Sequence, residues 1–330
     1  MQCSNKERRS LLQLLAASAI GIGVPGAAFA KGYPDRAVRL VNPFAPGGSA
    51  DVVSRLFAVP LGAAFKGTVF VENVSGAGGT IGADRVAKAA PDGYTLLLSN
   101  VASQSIAPSL YSKIAYDSLK DFDHIALIGS TPNVLVVGPT IKATTVQEFI
   151  AEAKANPVAM TFGSAGNGST PHLSAELFKL RTGIQAQHIP YRGAGPALNA
   201  VIGGELAFQF ENMSTAIPQI EAGRLRALAV TSARRVDALP NVPTMQEAGI
   251  ADFEVGTWFG VSAPAKTPAD VVATLRKAMS DALMDAATRK RLTDMGVQMS
   301  TIAPEAYSGF VAQEKERWGA LIKSSGAKVD

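Results

Sequence analysis

The chain has 330 residues, 47% of them hydrophobic and 18% charged, and a formal net charge of +4. That apolar content excludes a wholly disordered chain, and the length suits two cores better than one. The basic residues are scattered, which excludes a nucleic-acid footprint, so no nucleic-acid partner is expected.

Lys6, Arg8 and Arg9 precede the apolar run Leu11–Val24, which leads to the small-residue site Ala28-Phe29-Ala30. This is the pattern of a secretory signal peptide over residues 1–30, cleaved before Lys31. Arg8-Arg9-Ser10-Leu11-Leu12 also fits a twin-arginine export signal loosely. The run is too short and too glycine-rich for a comfortable membrane span. The mature chain is then expected in the periplasm with a net charge of +2. It would lack the single cysteine, Cys3, and with it any disulfide, thiolate metal site or cysteine nucleophile.

Val38–Val41 reads as a first strand and Ala50–Ala64 as its helix. Val69–Glu72 is the second strand, Ile81–Ala90 its helix, and Tyr94–Leu98 the third strand after the turn Pro91-Asp92-Gly93. Strands alternating with helices predict a parallel sheet covered on both faces. Ser99–Asp121 reads as a polar, irregular crossing into a second domain. There Ile125–Ile128 and Val134–Val137 are expected strands, and Thr145–Lys154 an amphipathic helix capped by Thr144 or Thr145. Ala159–Phe162 is a strand, followed by the glycine-rich turn 163–170 and a helix through Arg181, with Pro171 suited to a first helical position. Ala186–Ile189 and Leu206–Phe210 are further strands, with a helix through Val201 between them. Arg226–Thr231 is expected to return to the first domain, and Phe253–Ser262 is extended. Helices over Pro268–Met284, Ala287–Met295 and Pro304–Lys323 complete the chain, the last clamping the first domain's sheet. The expected division is 31–100 plus 226–330 for one domain and 101–225 for the other. Two α/β lobes joined by crossings is the architecture of a hinge-closing exported binding protein.

The functional signal lies in the glycine-rich turns. Helix starts leave backbone N–H groups without partners and carry partial positive charge, so a close-approaching glycine turn there is an anion site. Ligands of such sheets bind beyond the carboxyl ends of the strands, where these turns fall. The candidate ligand residues are Pro46, Gly47, Gly48 and Ser49 in the first turn, with Phe44 as an apolar wall after Asn42-Pro43 and Ala45 beside it. Gly78, Gly79 and Thr80 supply the second turn, and Ser164, Asn167, Gly168, Ser169 and Thr170 the third. Tyr191 and Arg192 follow a strand, and Arg192 either pairs with a carboxylate or bridges the lobes. Ser49 and Thr80 are natural N-caps as well as ligand donors. Asp51 reads as structural, favouring the helix dipole. His172, in a first helical turn, is either a neutral donor to the cleft or a packed ring, and His124 and His188 read as structural. No G-x-S-x-G elbow, H-E-x-x-H pair or Gly-Lys-Ser/Thr occurs. Gly76-x-Gly78-x-x-x-Gly82 misses the dinucleotide spacing by one residue. No catalytic residue, metal or cofactor is therefore assigned.

Asn42-Pro43-Phe44-Ala45-Pro46-Gly47-Gly48-Ser49-Ala50-Asp51 resembles the first signature of the Bug-type receptors, the solute-binding proteins of tripartite tricarboxylate transporters. Gly76-Ala77-Gly78-Gly79, Pro91-Asp92-Gly93-Tyr94, Gly166-Asn167-Gly168-Ser169, Pro190-Tyr191-Arg192-Gly193 and Leu239-Pro240-Asn241-Val242-Pro243-Thr244 match further segments in order. The resemblance implies a two-lobed type II periplasmic binding fold with a ligand cleft between the lobes and hinge crossings. It implies a small carboxylate as ligand and the transporter's membrane permease subunits as partners, or a sensor where no permease exists. A monomer is expected. Glu211 and Asn212 stand where many members have an aspartate after the strand; the extra methylene of Glu211 either reaches deeper into the cleft or turns away. The competing readings are an exported hydrolase with an unrecognised site and a scaffold protein.

Overall fold

The computed structural model describes residues 32–325. The expected signal peptide and its cleavage point lie outside these residues, and every described strand and helix belongs to one compact unit beginning at Arg36.

The first half builds a strand–turn–helix repeat. β1 (Val38–Asn42) leads to α1 (Ser49–Phe65), and β2 (Val69–Asn73) leads through a 3₁₀ turn, Ala77–Gly79, to α2 (Thr80–Ala87) and on to β3 (Thr95–Asn100). α1 forms here because Val53, Phe57, Leu61 and Phe65 recur every four residues, which puts them on one face. All four are buried. The helix ends at Lys66, which takes the left-handed conformation. β1 lies between β2 and β3, parallel to both, and β3 pairs antiparallel with β9 (Gly256–Pro264).

Of the irregular polar crossing expected over Ser99–Asp121, residues 111–121 are irregular but the stretch directly after β3 is not. A π-turn over Ala102–Ile106 runs into the short helix α3 (Ala107–Leu110), with Ser103, Gln104 and Ser105 fully buried. Asn100 holds the turn, its Oδ1 accepting the Ser103 amide at 3.0 Å. Composition misled because these hydroxyls and amides face protein, not water.

β4 (Phe122–Val137) is one 16-residue strand where two separate strands were expected. Its first part pairs with β9 through Pro132, and from Asn133 on it lies between β7 (Phe208–Asn212) and β8 (Arg226–Val230). Register shifts near His124 and Leu127 bend it. At Gly129 the backbone of β10 (Gln298–Met299) crosses so closely that a side chain has no room. β4 thus carries the chain from one sheet into a second, made of β4, β8, β7, β5 (Thr161–Ser164) and β6 (Gln187–Pro190). β8, expected to return to the first domain, pairs with the second-sheet part of β4.

Helices α4 (Val146–Ala155), α5 (Thr170–Thr182), α6 (Ala194–Ile202) and α7 (Met213–Glu221) serve the second sheet. Its core is aromatic, with Phe149, Phe162, Phe178, Phe208 and Phe210 fully buried in one cluster. α8 (Ala269–Met284), α9 (Ala286–Asp294) and α10 (Tyr307–Ser325) close the chain. α10 packs on the first sheet as expected: the Tyr307 hydroxyl lies 2.9 Å from Ser99 Oγ on β3, beneath Gly260 of β9.

Candidate ligand-binding site

Two walls meet where the sheets adjoin. On the first, the turn after β1 is pinned by Asp51. Its Oδ2 accepts the Gly47 amide at 3.0 Å, and its Oδ1 accepts Asn73 Nδ2 of β2 at 2.8 Å and the Arg55 guanidinium at 3.0 Å. Burial alone would raise the Asp51 pKa, but hydrogen bonds from Arg55, Asn73 and Gly47 outweigh it and hold the carboxyl below its usual range. Gly47 sits at φ +83°, where a side chain is disfavoured. Gly48 is the N-cap of α1 and no side chain caps that helix. Ser49 lies inside the helix instead of capping it, and its Oγ accepts from Asn212 Nδ2, at the end of β7 in the second sheet, at 2.7 Å.

The opposite wall is the turn between β5 and α5. Ser169 caps α5, accepting from the His172 amide, and its hydroxyl donates to the Gly166 carbonyl at 2.7 Å. Thr170 Oγ1 shares a short hydrogen bond with Thr257 Oγ1 of β9. Both walls therefore present the start of a helix of the length that carries a dipole.

Between them lies an inner cavity of about 30 Å³ and, beside it, an outer one of about 290 Å³. Phe44 and Ala165 line both and separate them. By the measure in which one water needs roughly 10–15 Å³, the inner cavity holds about two waters, because the Asn212–Ser49 and Thr170–Thr257 bonds draw its walls together. Of the sequence-derived candidates, Gly48, Ser49, Ser169, Thr170 and Asn212 line the inner cavity. Gly78, Gly79, Asn167, Tyr191 and Arg192 line the outer one. Arg192 is the single charged side chain among the described residues lining either.

The remaining candidates line neither. Ala45 donates its amide to the Arg192 carbonyl at 3.2 Å and faces Gly193, so the two walls touch backbone to backbone. Pro46 and Gly47 press on Gly195 at the start of α6. Thr80 follows the cap, Gly79, and its hydroxyl donates to the Ala77 carbonyl at 2.9 Å. Ser164 Oγ accepts the Gly166 amide at 3.1 Å, and Gly168 packs on Leu110. Glu211 is turned away. Neighbouring strand residues point to opposite faces, so with Asn212 at the cavity, Glu211 faces inward with Gln209. It is fully buried, accepting from Gln209 Nε2 and Thr215 Oγ1, and burial pushes its carboxyl up to about 7.

Several lining residues were not named from sequence. Asn100 ends β3 and Val101 and Ala102 follow it directly, and the rule that ligands sit beyond strand carboxyl ends would have found them had it been applied to the third strand. Thr257 and Phe259 reach the cavity from the start of β9, and Tyr111 borders the outer cavity; no local signal marks them.

Comparison with known proteins agrees with this geometry. Residues 53–327 match the Tripartite tricarboxylate transporter family receptor. The chain is 38% identical to Protein BugT of Bordetella pertussis over 324 residues, 97% of this chain and 99% of that one. The periplasmic binding protein BugD superposes with a TM-score of 0.87 at 36% identity, covering 90% of this chain and 99% of its own. R. palustris Rpa4515 with adipate superposes at 0.86 with 34% identity, covering 89% and 98%. A two-lobed α/β chain whose facing helix starts converge on one cleft, matched over nearly its whole length by these receptors, belongs to the tripartite tricarboxylate transporter receptor family of periplasmic solute-binding proteins.

Proposed function

We propose that this chain captures a small carboxylate between its two sheets in the periplasm and presents the closed form to the membrane permease subunits of a tripartite tricarboxylate transporter. The observation that carries the reading is the convergence of two helix starts, at Gly48–Ser49 and Ser169–Thr170, on one cavity with no charged side chain in its lining. Backbone N–H groups at such ends bind carboxylate without a counter-charge. Arg192, in the outer cavity, supplies a second anchor and suits an acid with two carboxylates. A ligand entering the inner cavity displaces the Asn212–Ser49 bond, so its affinity is set by what it returns to those two side chains. The two sheets with their helices act as the lobes, and the receptor acts as a monomer after removal of its leader. The adipate of the R. palustris relative makes small diacids the first ligands to test.

The test is a thermal-shift screen of acidic amino acids, di- and tricarboxylates and aromatic acids against protein refolded free of bound solute. A ligand at 100 times its Kd adds about 2.7 kcal/mol. At roughly 2–4 °C per kcal/mol, that raises the midpoint by about 5–10 °C. A flat response to every class would overturn the carboxylate reading.

A further inference from the structure

The turn between β5 and α5 is held from behind by two histidines. The Gly168 amide donates to His172 Nδ1 at 3.1 Å. Since an amide N–H can only donate, Nδ1 carries the lone pair and the ring proton sits on Nε2. His188 of β6 stacks on His172 with ring centres 4.1 Å apart and 17° between planes, and the Phe162 ring stacks on both, 4.8 Å from His188 and 6.5 Å from His172. His188 Nε2 lies 2.6 Å from Ser164 Oγ, the same oxygen that accepts the Gly166 amide. Gly166 and Gly168 both have positive φ, and a side chain at Gly168 would strike Leu110. The turn's shape therefore depends on a few hydrogen bonds, and two of them end on imidazole nitrogens. This turn carries Ala165, Ser169 and Thr170 to the inner cavity and Asn167 to the outer one.

We propose that His172 and His188 are positioning residues, a stacked imidazole pair that holds the turn Ser164–Thr170 in its cleft-lining shape only while both rings are neutral, so that acid loosens this wall of the site. Its importance for uptake rests on reading the cleft as the ligand site; the coupling itself does not. A proton on His172 Nδ1 turns the acceptor of the Gly168 amide into a second donor facing it. It also sets a cation against the neighbouring ring.

The charged and titratable groups around the pair are few. Lys179, one face along α5, lies 5.6 Å from the centre of the Phe162 ring and disfavours a positive charge on both histidines. Glu176 on the same helix favours a proton on His188 but is itself paired with Lys179 at 2.9 Å. Tyr111 approaches from α3, donating to the Asn167 carbonyl at 3.1 Å, and stays neutral in acid. Burial, with Lys179 adding to it, draws His172 down to about 4, and burial with the charge of its partner ring draws His188 down to about 3. The turn is therefore expected to hold at neutral pH and to give way as the medium becomes strongly acidic.

The test reads the Gly168 amide by NMR hydrogen exchange in the mature chain without added ligand. Protection is expressed relative to the unstructured rate at each pH, from pH 7 to 4. Wild-type Gly168 is expected to lose at least tenfold in protection across that range while amides of β1 and β3 keep theirs. His172→Asn places an acceptor near the Nδ1 position that takes no proton, so its Gly168 amide is expected to stay protected at pH 4. His172→Phe keeps the ring stack but lacks the acceptor and is expected to be unprotected throughout. As a second reading, His172→Asn removes the charge of the partner ring that lowers His188, so the His188 imidazole is expected to titrate at a higher pH in that variant than in the wild type. Protection unchanged down to pH 4, or lost equally in His172→Asn, or lost only together with β1 and β3, would overturn the proposal. So would an unmoved His188 titration in His172→Asn. No carboxylate enters the measurement, so a failed ligand screen and a failed histidine test remain separate results.

Discussion

Glu211→Gln isolates the energetic cost of one buried carboxylate. Glu211 is fully buried on the inner face of β7, with hydrogen bonds from Thr215 and Gln209 and no cation among its partners. Burial lifts its pKa from the ordinary 4.5 to about 7, the hydrogen bonds offsetting only part of the rise. Because the folded pKa lies above the unfolded one, the stabilising contribution is complete below pH 4.5. It is lost as pH rises and gone above about 7. Between pH 5 and pH 8 the loss is about 2–3 kcal/mol, at 1.36 kcal/mol per pH unit over the part of that range lying between the two pKa values. Glutamine is neutral throughout. Its amide also fits: Gln209 Oε1 has no protein partner, so a flip of the Gln209 amide offers that oxygen to the new NH₂ group. Thermal melts of both proteins at pH 5, 6.5 and 8 should show the variant gaining on the wild type by roughly 5–10 °C across that range. The histidines are common to both proteins and cancel in the difference. Parallel curves would refute the reasoning, because they would mean the ionised carboxylate is satisfied where it lies. Ligand binding should survive the change, since Glu211 lines neither cavity.

Three further outcomes follow from the same geometry. Gly48 has φ −89° and would place a Cβ 3.4 Å from Ala194, so Gly48→Val fits its own backbone but drives methyl groups into the facing wall; isothermal titration should show binding lost while the melting midpoint moves by only a few degrees. Arg192→Met removes the one charge from the cavity linings, and diacids should lose affinity by about tenfold or more, in line with about 1.5–3 kcal/mol for a charged hydrogen bond, while monoacids change little. Gly260→Ala has no space, because the new methyl would overlap the Tyr307 ring and lie 2.8 Å from the Ala126 carbonyl; a loss of roughly 1–3 kcal/mol or more is expected from overpacking, read as a lowered denaturant midpoint.

Gly79 illustrates how the structure changes the choice of variant. From sequence it is one of several turn glycines, and a bulky replacement there looks like a clean test of ligand approach. At φ +95°, with Phe44 at 3.2 Å from a built Cβ, such a replacement strains the backbone as well as the cleft. Gly48 separates the two effects and Gly79 does not.

The local chemistry of the chain determined the repeating units. Apolar residues four apart made α1, a serine one residue before Thr170-Pro171 capped α5, and glycines after β1, β2 and β5 put flexible turns at the strand ends, because spacing, capping and permitted φ are properties of short segments. The turns that carry the ligand walls were legible for the same reason. Folding alone decided which side chains those walls present. Ser49 meets Asn212 across 163 residues of chain, Thr170 meets Thr257, and the alternation of β7 sends Glu211 inward because Asn212 is the residue that reaches the cleft. β4 became one strand through both sheets because β9 pairs with the stretch that reads as a break, and His172 found His188 because α5 packs on β5 and β6 pairs beside β5. Contacts of this kind depend on where distant elements come to rest, and no short stretch of sequence contains that information.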